Sequence, residues 1–425
     1  MNKQVEKNIL VYADWISTDA PQLIGILSTT LLRGKEIFSF EYDPIWLNNN
    51  KTLSLDPALH LFEGRQFARE GHSNFGLFLD SCPDRWGRFL MKRREAQAAR
   101  EENRAEHRLL ESDYLLGVHD EYRVGALRFK LDRESTFLDN NKKMASPPMT
   151  SLRELEQASL AIENKDSETN PEYGNWLRML IAPGGSLGGA RPKSSVIDSQ
   201  QQLWIAKFPS LYDDFDVGAW EMLAYQLGKK AGIIMPEAQL KRYNSGNHTF
   251  LSKRFDRLLQ GKRIHFASAM TLLQRTDGDD AASGVSYLHL AEFLIREGAQ
   301  PERDLEQLWL RILFFVCISN VDDHLRNHGF LLKPEGWVLS PAYDINPIPF
   351  SDGLKLNISE SDNTQSLELV KSVAPYFRIS KNKADALTME MQKIIKEWDK
   401  IAKHIGINQS EQGRMASAFK LAFEG

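Results

Sequence analysis

The sequence lacks the features that mark several large classes of protein. It has only two cysteines, Cys82 and Cys317, which lie far apart and outside any CxxC pair, so neither a disulfide framework nor a cysteine zinc site is expected. No run of about 18 apolar residues is present, which argues against a membrane-spanning helix. The amino-terminal segment has too short an apolar stretch for a signal peptide. We therefore expect a cytoplasmic protein.

The sequence also lacks a large excess of charge of either sign. Its formal net charge is −4 at pH 7 over 425 residues. Nucleic-acid-binding proteins usually carry a basic excess that neutralises phosphates, so direct DNA binding is not expected of the body of this protein. With 42% hydrophobic and 26% charged residues, the composition is that of an ordinary globular protein. The length exceeds that of one hydrophobic core and predicts two or three packed units.

The hydrophobic pattern changes along the chain from mixed strand and helix to mostly helix. In the first part, alternating segments predict strands, whereas DPALHLFEGRQF and the long segment from NFGLFLD to REENRAE carry helical spacing. Residues 139–150 have no apolar period and contain two prolines, so they are the linker candidate. A strand-rich half followed by a helical half suggests an active site between two lobes. The predicted domains are residues 1–145, 146–255 and 256–425.

Individual elements follow from the same periodicity. Strands are predicted at ILVYADW, EIFSFEY, EYRVGALRFK, LWIAKFPS and HTFLSKRFDR. Helices are predicted at SLRELEQASLAIE, VGAWEMLAYQLGKKAG, SYLHLAEFLIREG, DLEQLWLRILFFVCISNV and KADALTMEMQKIIKEWDKIAKHIG.

The segment SNVDDHLRNHGFLL, residues 319–332, crowds charged and amide side chains against an apolar strand. One interpretation is a helix end whose polar residues are simply solvated. A second is a metal site, since His324 and His328 are four residues apart, but the glutamate of HExxH and a third ligand are missing. The third interpretation is a kinase catalytic loop, because Asp322 and Asn327 have the D-x-x-x-x-N spacing. There the aspartate accepts a proton from the attacking hydroxyl and the asparagine binds a metal.

A second carboxylate follows at the separation that a phosphoryl-transfer site needs. FLL and GWVL flank the turn-forming KPEG, so residues 329–339 predict a hairpin that leads to PAYDINP and Asp344. Metal-dependent phosphoryl transfer uses such a carboxylate as a metal ligand. Asp322, Asn327 and Asp344 together favour the kinase interpretation, with Asp323 as the alternative base.

A glycine-rich segment, IAPGGSLGGARPKSS, precedes these motifs. Its four glycines allow backbone N–H groups to approach phosphates closely. It matches neither a Walker A loop nor GxGxxG, so a plain surface turn is the alternative. Lys193 ends the loop, and Lys207 on the next strand has the position of a phosphate-pairing lysine. Glu221 on the following helix is suited to pair with Lys207 and hold it in place.

In this order, GGSLGGARPK, IAKFPS, KRFDR, NVDDHLRNHGF and SPAYDINP resemble the motifs of the HipA-like serine/threonine kinases, the toxins of bacterial type II toxin–antitoxin modules. FSFEYDPIWL, LFLDSCPDRWGR and YRVGALRF resemble the amino-terminal region of that family, so the resemblance runs through essentially the whole chain. It implies an α+β, two-lobed protein kinase-like fold, with an extended strand-rich amino-terminal lobe and an all-helical carboxy-terminal lobe. It also implies transfer of the ATP γ-phosphoryl group to a serine or threonine hydroxyl with Mg²⁺.

The resemblance assigns roles to individual residues. It implies that Asp322 is the catalytic base and that Asn327 and Asp344 bind magnesium. Ser186 falls where family members are phosphorylated by their own kind. The implied nucleotide contacts are Gly188, Gly189, Ala190, Arg191, Pro192, Lys193, Lys207, Lys253, Arg254, Phe255, His324, Leu325, Arg326, Asn327 and Tyr343.

Partners are implied in the same way. They are a small helix-turn-helix antitoxin, DNA only through that antitoxin, and a protein substrate such as an aminoacyl-tRNA synthetase. One rival is a kinase-like subunit that serves mainly as an antitoxin-bound co-repressor, although Lys207, Asp322 and Asp344 argue against a purely non-catalytic form. The other is a metallohydrolase built on the two histidines, which tight stoichiometric zinc would support. The sequence of residues 265–287 indicates no role for this stretch.

Overall fold

The computed structural model describes residues 6–15, 20–50, 53–139, 147–181, 189–351 and 353–424. The chain divides into two compact units. The first comprises Met1–Leu211 with Asp256–Ala267, and the second comprises Tyr212–Phe255 with Ser268–Gly425. The domain boundaries predicted at residues 145 and 255 stay predictions. Within the described ranges, no helix has both the length and the apolar character needed to cross a membrane.

The strands and helices alternate irregularly along the chain. The strands are β1 (Glu6–Ala13), β2 (Gln22–Leu32), β3 (Lys35–Tyr42), β4 (Arg65–Phe67), β5 (Leu127–Lys130), β6 (Lys193–Ile197), β7 (Leu203–Lys207), β8 (Ala238–Arg242), β9 (His248–Lys253), β10 (His265–Ser268), β11 (Gly329–Lys333) and β12 (Gly336–Leu339). The helices are α1 (Pro44–Asn49), α2 (Gly76–Leu79), α3 (Arg85–Glu101), α4 (Glu111–Leu116), α5 (Leu152–Glu163), α6 (Tyr173–Ile181), α7 (Val217–Lys230), α8 (Ala269–Leu272), α9 (Tyr287–Glu297), α10 (Pro301–Ile318), α11 (Leu367–Val373), α12 (Lys381–Ile395), α13 (Trp398–Ile405) and α14 (Gln409–Met415).

The first unit is built on an antiparallel sheet with the strand order β4-β3-β2-β1-β5. Ile9 and Val11 of β1 are fully buried, as their alternation in the sequence predicts. Gly25 of β2 lies so close to β3 that a Cβ there would be 2.2 Å from the carbonyl oxygen of Glu41. Only glycine allows this close pairing. In the same unit, β6 and β7 form an antiparallel hairpin.

Helix α10 forms the centre of the second unit. Its residues from Leu308 to Ile318 are all buried, and it packs against α9, α11 and α12. The indole Nε1 of Trp309 donates a hydrogen bond of 3.0 Å to the carbonyl oxygen of Val370 on α11. Apart from Arg311 this stretch is apolar on every side, and such a helix is expected to be covered on every side. The end of α10 is therefore a rigid support for the loop that follows it.

Helix α7 is fixed against β9 by its first turn. The carboxylate of Asp216 accepts hydrogen bonds from the backbone N–H groups of Ala219 (3.1 Å) and His248 (3.0 Å). A Cβ on Gly218 would lie 2.2 Å from the carbonyl oxygen of His248. Because that oxygen belongs to a strand backbone, it cannot yield without moving the strand, so glycine is required. This contact positions the helix that carries Glu221.

Most predicted elements are confirmed. The confirmed ones are β1, β3, β5, β7, β9, the hairpin β11–β12, and the helices α5, α7, α9 and α10. The prediction of helical structure in DPALHLFEGRQF is wrong, because the chain forms turns there and then enters β4. Asp56 explains the difference, since its buried carboxylate accepts hydrogen bonds from Ala58 N (2.8 Å) and Leu77 N (2.9 Å) and holds the chain in a turn.

Two other predicted helices are interrupted. The segment from NFGLFLD to REENRAE forms α2 and α3, which are separated around Pro83. The final predicted helix forms α12 and α13. Between the two helices, Glu397 N donates a hydrogen bond of 3.1 Å to Ile394 O, three residues earlier, which forms a tight turn and ends the regular α-helical pattern.

Candidate active site

The loop after α10 carries Asp322 and is closed by Asn327. It begins at Ser319, which ends α10 with a left-handed φ of 51°. The side-chain Nδ2 of Asn327 donates a hydrogen bond of 3.1 Å to the carbonyl oxygen of Asp322. Asn327 is buried, whereas Asp322 is exposed. Because the amide nitrogen is used and no described residue donates to Oδ1, that oxygen is available as a ligand.

Asp323, next to Asp322, has a different environment. It is 1% exposed, and its Oδ2 accepts a hydrogen bond of 2.7 Å from the hydroxyl of Tyr287. The same oxygen lies 2.6 Å from Nε2 of His328. Burial, and next the charge of Asp323, raise the pKa of Tyr287 well above its usual value, so the phenol is the donor. Asp323 therefore supports the loop from the protein interior, whereas its neighbour Asp322 is exposed to solvent.

The same contacts bear on the histidine metal site. His328 is buried against Asp323, so its Nε2 is already engaged. Among the residues that the structure describes, no three or more His, Cys, Asp or Glu side chains are grouped to hold a metal ion. His328 is better explained as a buried support of the loop.

The segment after β12 holds Asp344 beside the loop. The hydroxyl of Tyr343 donates a hydrogen bond of 2.7 Å to the carbonyl oxygen of Arg326. On the other side of Asp344, the backbone N–H of Asn346 donates to Oδ1 of Asn320 at 3.0 Å. Asp344 itself has a φ of 58°, which is a strained conformation for a residue other than glycine. Hydrogen bonds on both sides of Asp344 therefore hold this segment beside the loop.

Buried charges anchor the end of the hairpin that leads to Asp344. Arg311 on α10 donates a hydrogen bond of 2.5 Å to the carbonyl oxygen of Ser340, and burial lowers its pKa to about 10. Asp304 on the same helix accepts a hydrogen bond of 2.8 Å from Leu339 N, and burial raises its pKa. Neither contact was predictable from the sequence, because no motif marks Asp304 or Arg311.

The residues predicted to lie beside the adenine are partly brought together. The rings of Phe255 and Tyr343 have centroids 5.5 Å apart and are tilted by 38°. Arg254 is buried, and Lys253 pairs with Glu237 at 3.0 Å. Phe255 and Tyr343 therefore form one aromatic surface.

The middle of the loop between α10 and β11 forms an ion pair with a residue from the stretch 265–287. Leu325 is buried, His324 is half-buried, and Nε of Arg326 lies 3.1 Å from Oδ1 of Asp277. Asp277 is far from Arg326 in sequence and belongs to no motif, so sequence reasoning missed it.

The end of the glycine-rich loop lies in the first unit and is tied to α3. Gly189 has a φ of 88°. The ammonium of Lys193 lies 2.8 Å from Oδ2 of Asp84, and the two side chains are only 4% and 2% exposed. The other oxygen of Asp84 caps α3 by accepting from Gly87 N at 2.7 Å, and Trp86 Nε1 donates to the carbonyl oxygen of Lys193 at 3.0 Å. Lys193 thus anchors the loop end to the PDRWGR segment.

The other predicted residues of this region are placed in part. Ser186 and Gly188 lie outside the described residues. Lys207 is directly opposite Lys193 in the β6–β7 hairpin, and Glu221 is buried on α7. The Lys207–Glu221 ion pair stays a prediction. Ala190 is exposed, Arg191 is half-buried, and the carbonyl oxygen of Pro192 accepts a hydrogen bond of 2.9 Å from Phe208 N.

Comparison with known proteins identifies the family. The family model described as the HipA-like C-terminal domain matches residues 185–405, which is more than half of the chain. The chain belongs to this family. The predicted HipA-like resemblance is therefore confirmed.

A solved structure shows that the likeness in fold extends beyond this domain. It is described as the Shewanella oneidensis MR-1 toxin–antitoxin system HipA, HipB and operator DNA complex. The present chain aligns with it over 97% of its own length and 95% of the other chain, with a TM-score of 0.66 and 16% identity. The predicted α+β HipA-like fold is confirmed by this match.

Two further matches cover less. A protein named putative kinase from Haemophilus influenzae is 29% identical over 187 residues, which are 39% of this chain and 54% of that protein. The chain thus spans about half the length of this curated relative. The Helicobacter pylori proinflammatory kinase CtkA aligns over 54% of this chain and 94% of its own, with a TM-score of 0.34 and 13% identity.

Proposed function

We propose that the protein is an ATP-dependent serine/threonine protein kinase that acts as the toxin of a toxin–antitoxin system. The observation that carries the proposal is the paired geometry of the catalytic loop and the segment after it. Asp322 is exposed, Asn327 is bound to its carbonyl oxygen, and Tyr343 joins the segment of Asp344 to the same loop. Family membership and the fold shared with HipA support the proposal.

The residues at the site fit a magnesium ion and nucleotide phosphates. Asn327 offers an amide oxygen that accepts no hydrogen bond from the described residues, and Asp344 offers a carboxylate. Mg²⁺ prefers oxygen ligands of this kind. These two residues would hold the ion. When bound, it would neutralise charge on the phosphates and on the group that is transferred.

The side chains of the chain divide the remaining work. Asp322 is exposed and takes the proton of the acceptor hydroxyl as a general base. Asp323 takes no part in the transfer and keeps the loop in shape through Tyr287 and His328. The aromatic surface of Phe255 and Tyr343 packs against the base of the nucleotide.

The proposal includes partners and self-modification. The HipA structure that this chain resembles is a complex with HipB and operator DNA. We propose that this chain likewise binds a small helix-turn-helix antitoxin and reaches DNA only through it. The protein substrate belongs to the translation machinery, with an aminoacyl-tRNA synthetase as the first candidate. Ser186, outside the described residues, is the proposed autophosphorylation site.

Expression of the chain in growing bacteria tests the toxin proposal and its rival together. The wild-type chain is expected to arrest growth, while Asp322→Asn, which keeps the folded surface, is expected to be harmless. Equal arrest by both chains, at equal soluble levels, would contradict toxicity through phosphoryl transfer. Absence of arrest by either chain would favour the co-repressor alternative.

A further inference from the structure

A cavity beside Asp322 was not indicated by the sequence. It has a volume of about 440 Å³ and lies entirely within the second unit. Three segments line it: residues 280–282, Val321 with Asp322, and part of the chain after β12, namely Ile348, Ser351, Gly353, Leu354, Lys355 and Asn363. Part of its wall is apolar and is made by Val321, Ile348 and Leu354. The cavity therefore joins the proposed base to an apolar surface.

Hydrogen bonds join two of the segments that line the cavity. The backbone N–H of Ala281 donates to the carbonyl oxygen of Lys355 at 2.7 Å, and Nδ2 of Asn357 donates to the carbonyl oxygen of Ala281 at 3.0 Å. Leu354 N donates to Asn363 O at 2.8 Å. Binding sites are usually formed before their ligands bind, and these hydrogen bonds shape the wall without a ligand.

Phe350 precedes the cavity-lining residue Ser351 in the chain and has an unusual conformation. It is 84% exposed and has a φ of 61°, which bulky side chains rarely adopt. It lies in the chain between Ile348 and Ser351, both of which line the cavity. Folding gains nothing from a strained backbone that presents an aromatic ring to water. Such strain persists mainly at functional sites.

We propose that the cavity and Phe350 bind the acceptor segment of the protein substrate. The occupant is an extended stretch of polypeptide that brings its serine or threonine hydroxyl to Asp322. An apolar side chain next to that hydroxyl packs on Ile348, Leu354 and Phe350. The occupant follows from Asp322, because the acceptor hydroxyl is the group that must reach the proposed base. The proposal rests on the proposed kinase function and names its substrate class.

Substitution of Phe350 separates binding of the acceptor from folding. Asparagine tolerates a positive φ, so Phe350→Asn removes the ring without adding strain. It is expected to raise the KM for the acceptor about tenfold, as loss of an aromatic anchor does, while the KM for ATP and the melting temperature stay unchanged. The matched control is Phe67→Ala, which truncates an aromatic residue of the first unit that is 62% exposed. It is expected to leave both KM values unchanged.

The chemical class of the acceptor is tested with alanine-based peptides that carry one central serine flanked by leucine, glycine or glutamate. The wild type is expected to phosphorylate the leucine peptides best, and Phe350→Asn is expected to lose that preference. The inference is overturned if the variant keeps the preference, if its KM for ATP changes equally, or if no peptide is phosphorylated by a protein that labels an acceptor in a lysate. Failure of the folded wild type to label any protein would instead refute the kinase proposal itself.

Discussion

At the scale of residues, two adjacent aspartates have opposite surroundings. Asp322 is exposed and Asp323 is buried against Tyr287 and His328. The spacing to Asn327 predicted the first of them from sequence. The role of Asp323 was not predictable, because Tyr287 lies 36 positions away and belongs to no motif. Neighbouring substitutions therefore test chemistry and folding separately.

Asp322→Asn is expected to abolish phosphoryl transfer and to leave nucleotide binding largely intact. The proposed base is expected to contact the acceptor hydroxyl and not the phosphates, so only the transfer should depend on it. Turnover and binding by calorimetry measure the two effects. Near-normal turnover by the variant would show that the assignment of the base is wrong.

Asp323→Ala is expected to lower the free energy of unfolding by about 3 kcal/mol, because it leaves two buried donors without their acceptor. Urea denaturation of this variant and of Asp322→Ala provides the comparison. The exposed neighbour is expected to change stability by less than about 0.5 kcal/mol. Equal changes in the free energy of unfolding at the two positions would argue against a structural role of Asp323.

Asp344→Ala is expected to weaken magnesium-dependent nucleotide binding and leave magnesium-independent binding unchanged. The reason is that the carboxylate is proposed to contact the ion and not the nucleotide. Calorimetry with ATP in the presence of magnesium or of a chelator distinguishes the two. An equal loss in both conditions would remove Asp344 from the proposed ligands.

His265 makes stability depend on pH. Burial lowers its pKa to about 3, below the value of about 6.5 in an unfolded chain. Between these two pKa values, His265 binds a proton in the unfolded state but not in the folded state. This contribution to stability is fully present above about pH 6.5 and is lost as the pH falls, by at most about 1.4 kcal/mol per unit. Urea unfolding between pH 7.5 and 4 is expected to show a shallower pH dependence in His265→Gln than in the wild type. Identical slopes would contradict the prediction.

At the scale of elements, the Asp84–Lys193 pair connects α3 to β6 just after the glycine-rich loop. Removal of one partner leaves a buried charge without compensation and is expected to cost about 3 to 5 kcal/mol. The losses of stability in Asp84→Asn and in Lys193→Met, added together, are expected to exceed the loss in the double variant. Denaturant unfolding of the three variants gives the coupling energy. Strict additivity would show that the two charges do not interact.

Elements with a clear period were predictable, and those set by distant contacts were not. The alternation in β1 and the periodicity of α10 identify their buried faces directly. DPALHLFEGRQF has helical spacing, yet it turns because Asp56 binds the N–H of Leu77. The Lys193 interaction was likewise hidden, since Asp84 lies 109 positions earlier in the chain.

At the scale of the whole molecule, family and fold were predictable because several short motifs occur in one order. The fold is shared with the HipA structure although the identity is only 16%. The stretch from 265 to 287 gave no signal, yet it supplies Asp277, Tyr287 and part of the cavity wall. No motif encodes the acceptor, so the substrate was not readable from the sequence.

The most direct test of the central claim is incubation of the folded chain with γ-labelled ATP, magnesium and a bacterial lysate. We predict that the wild type transfers label to a serine or threonine of a discrete protein and that Asp322→Asn does not. Absence of any labelled protein with a wild-type chain that binds ATP, or equal labelling by the variant, would contradict it.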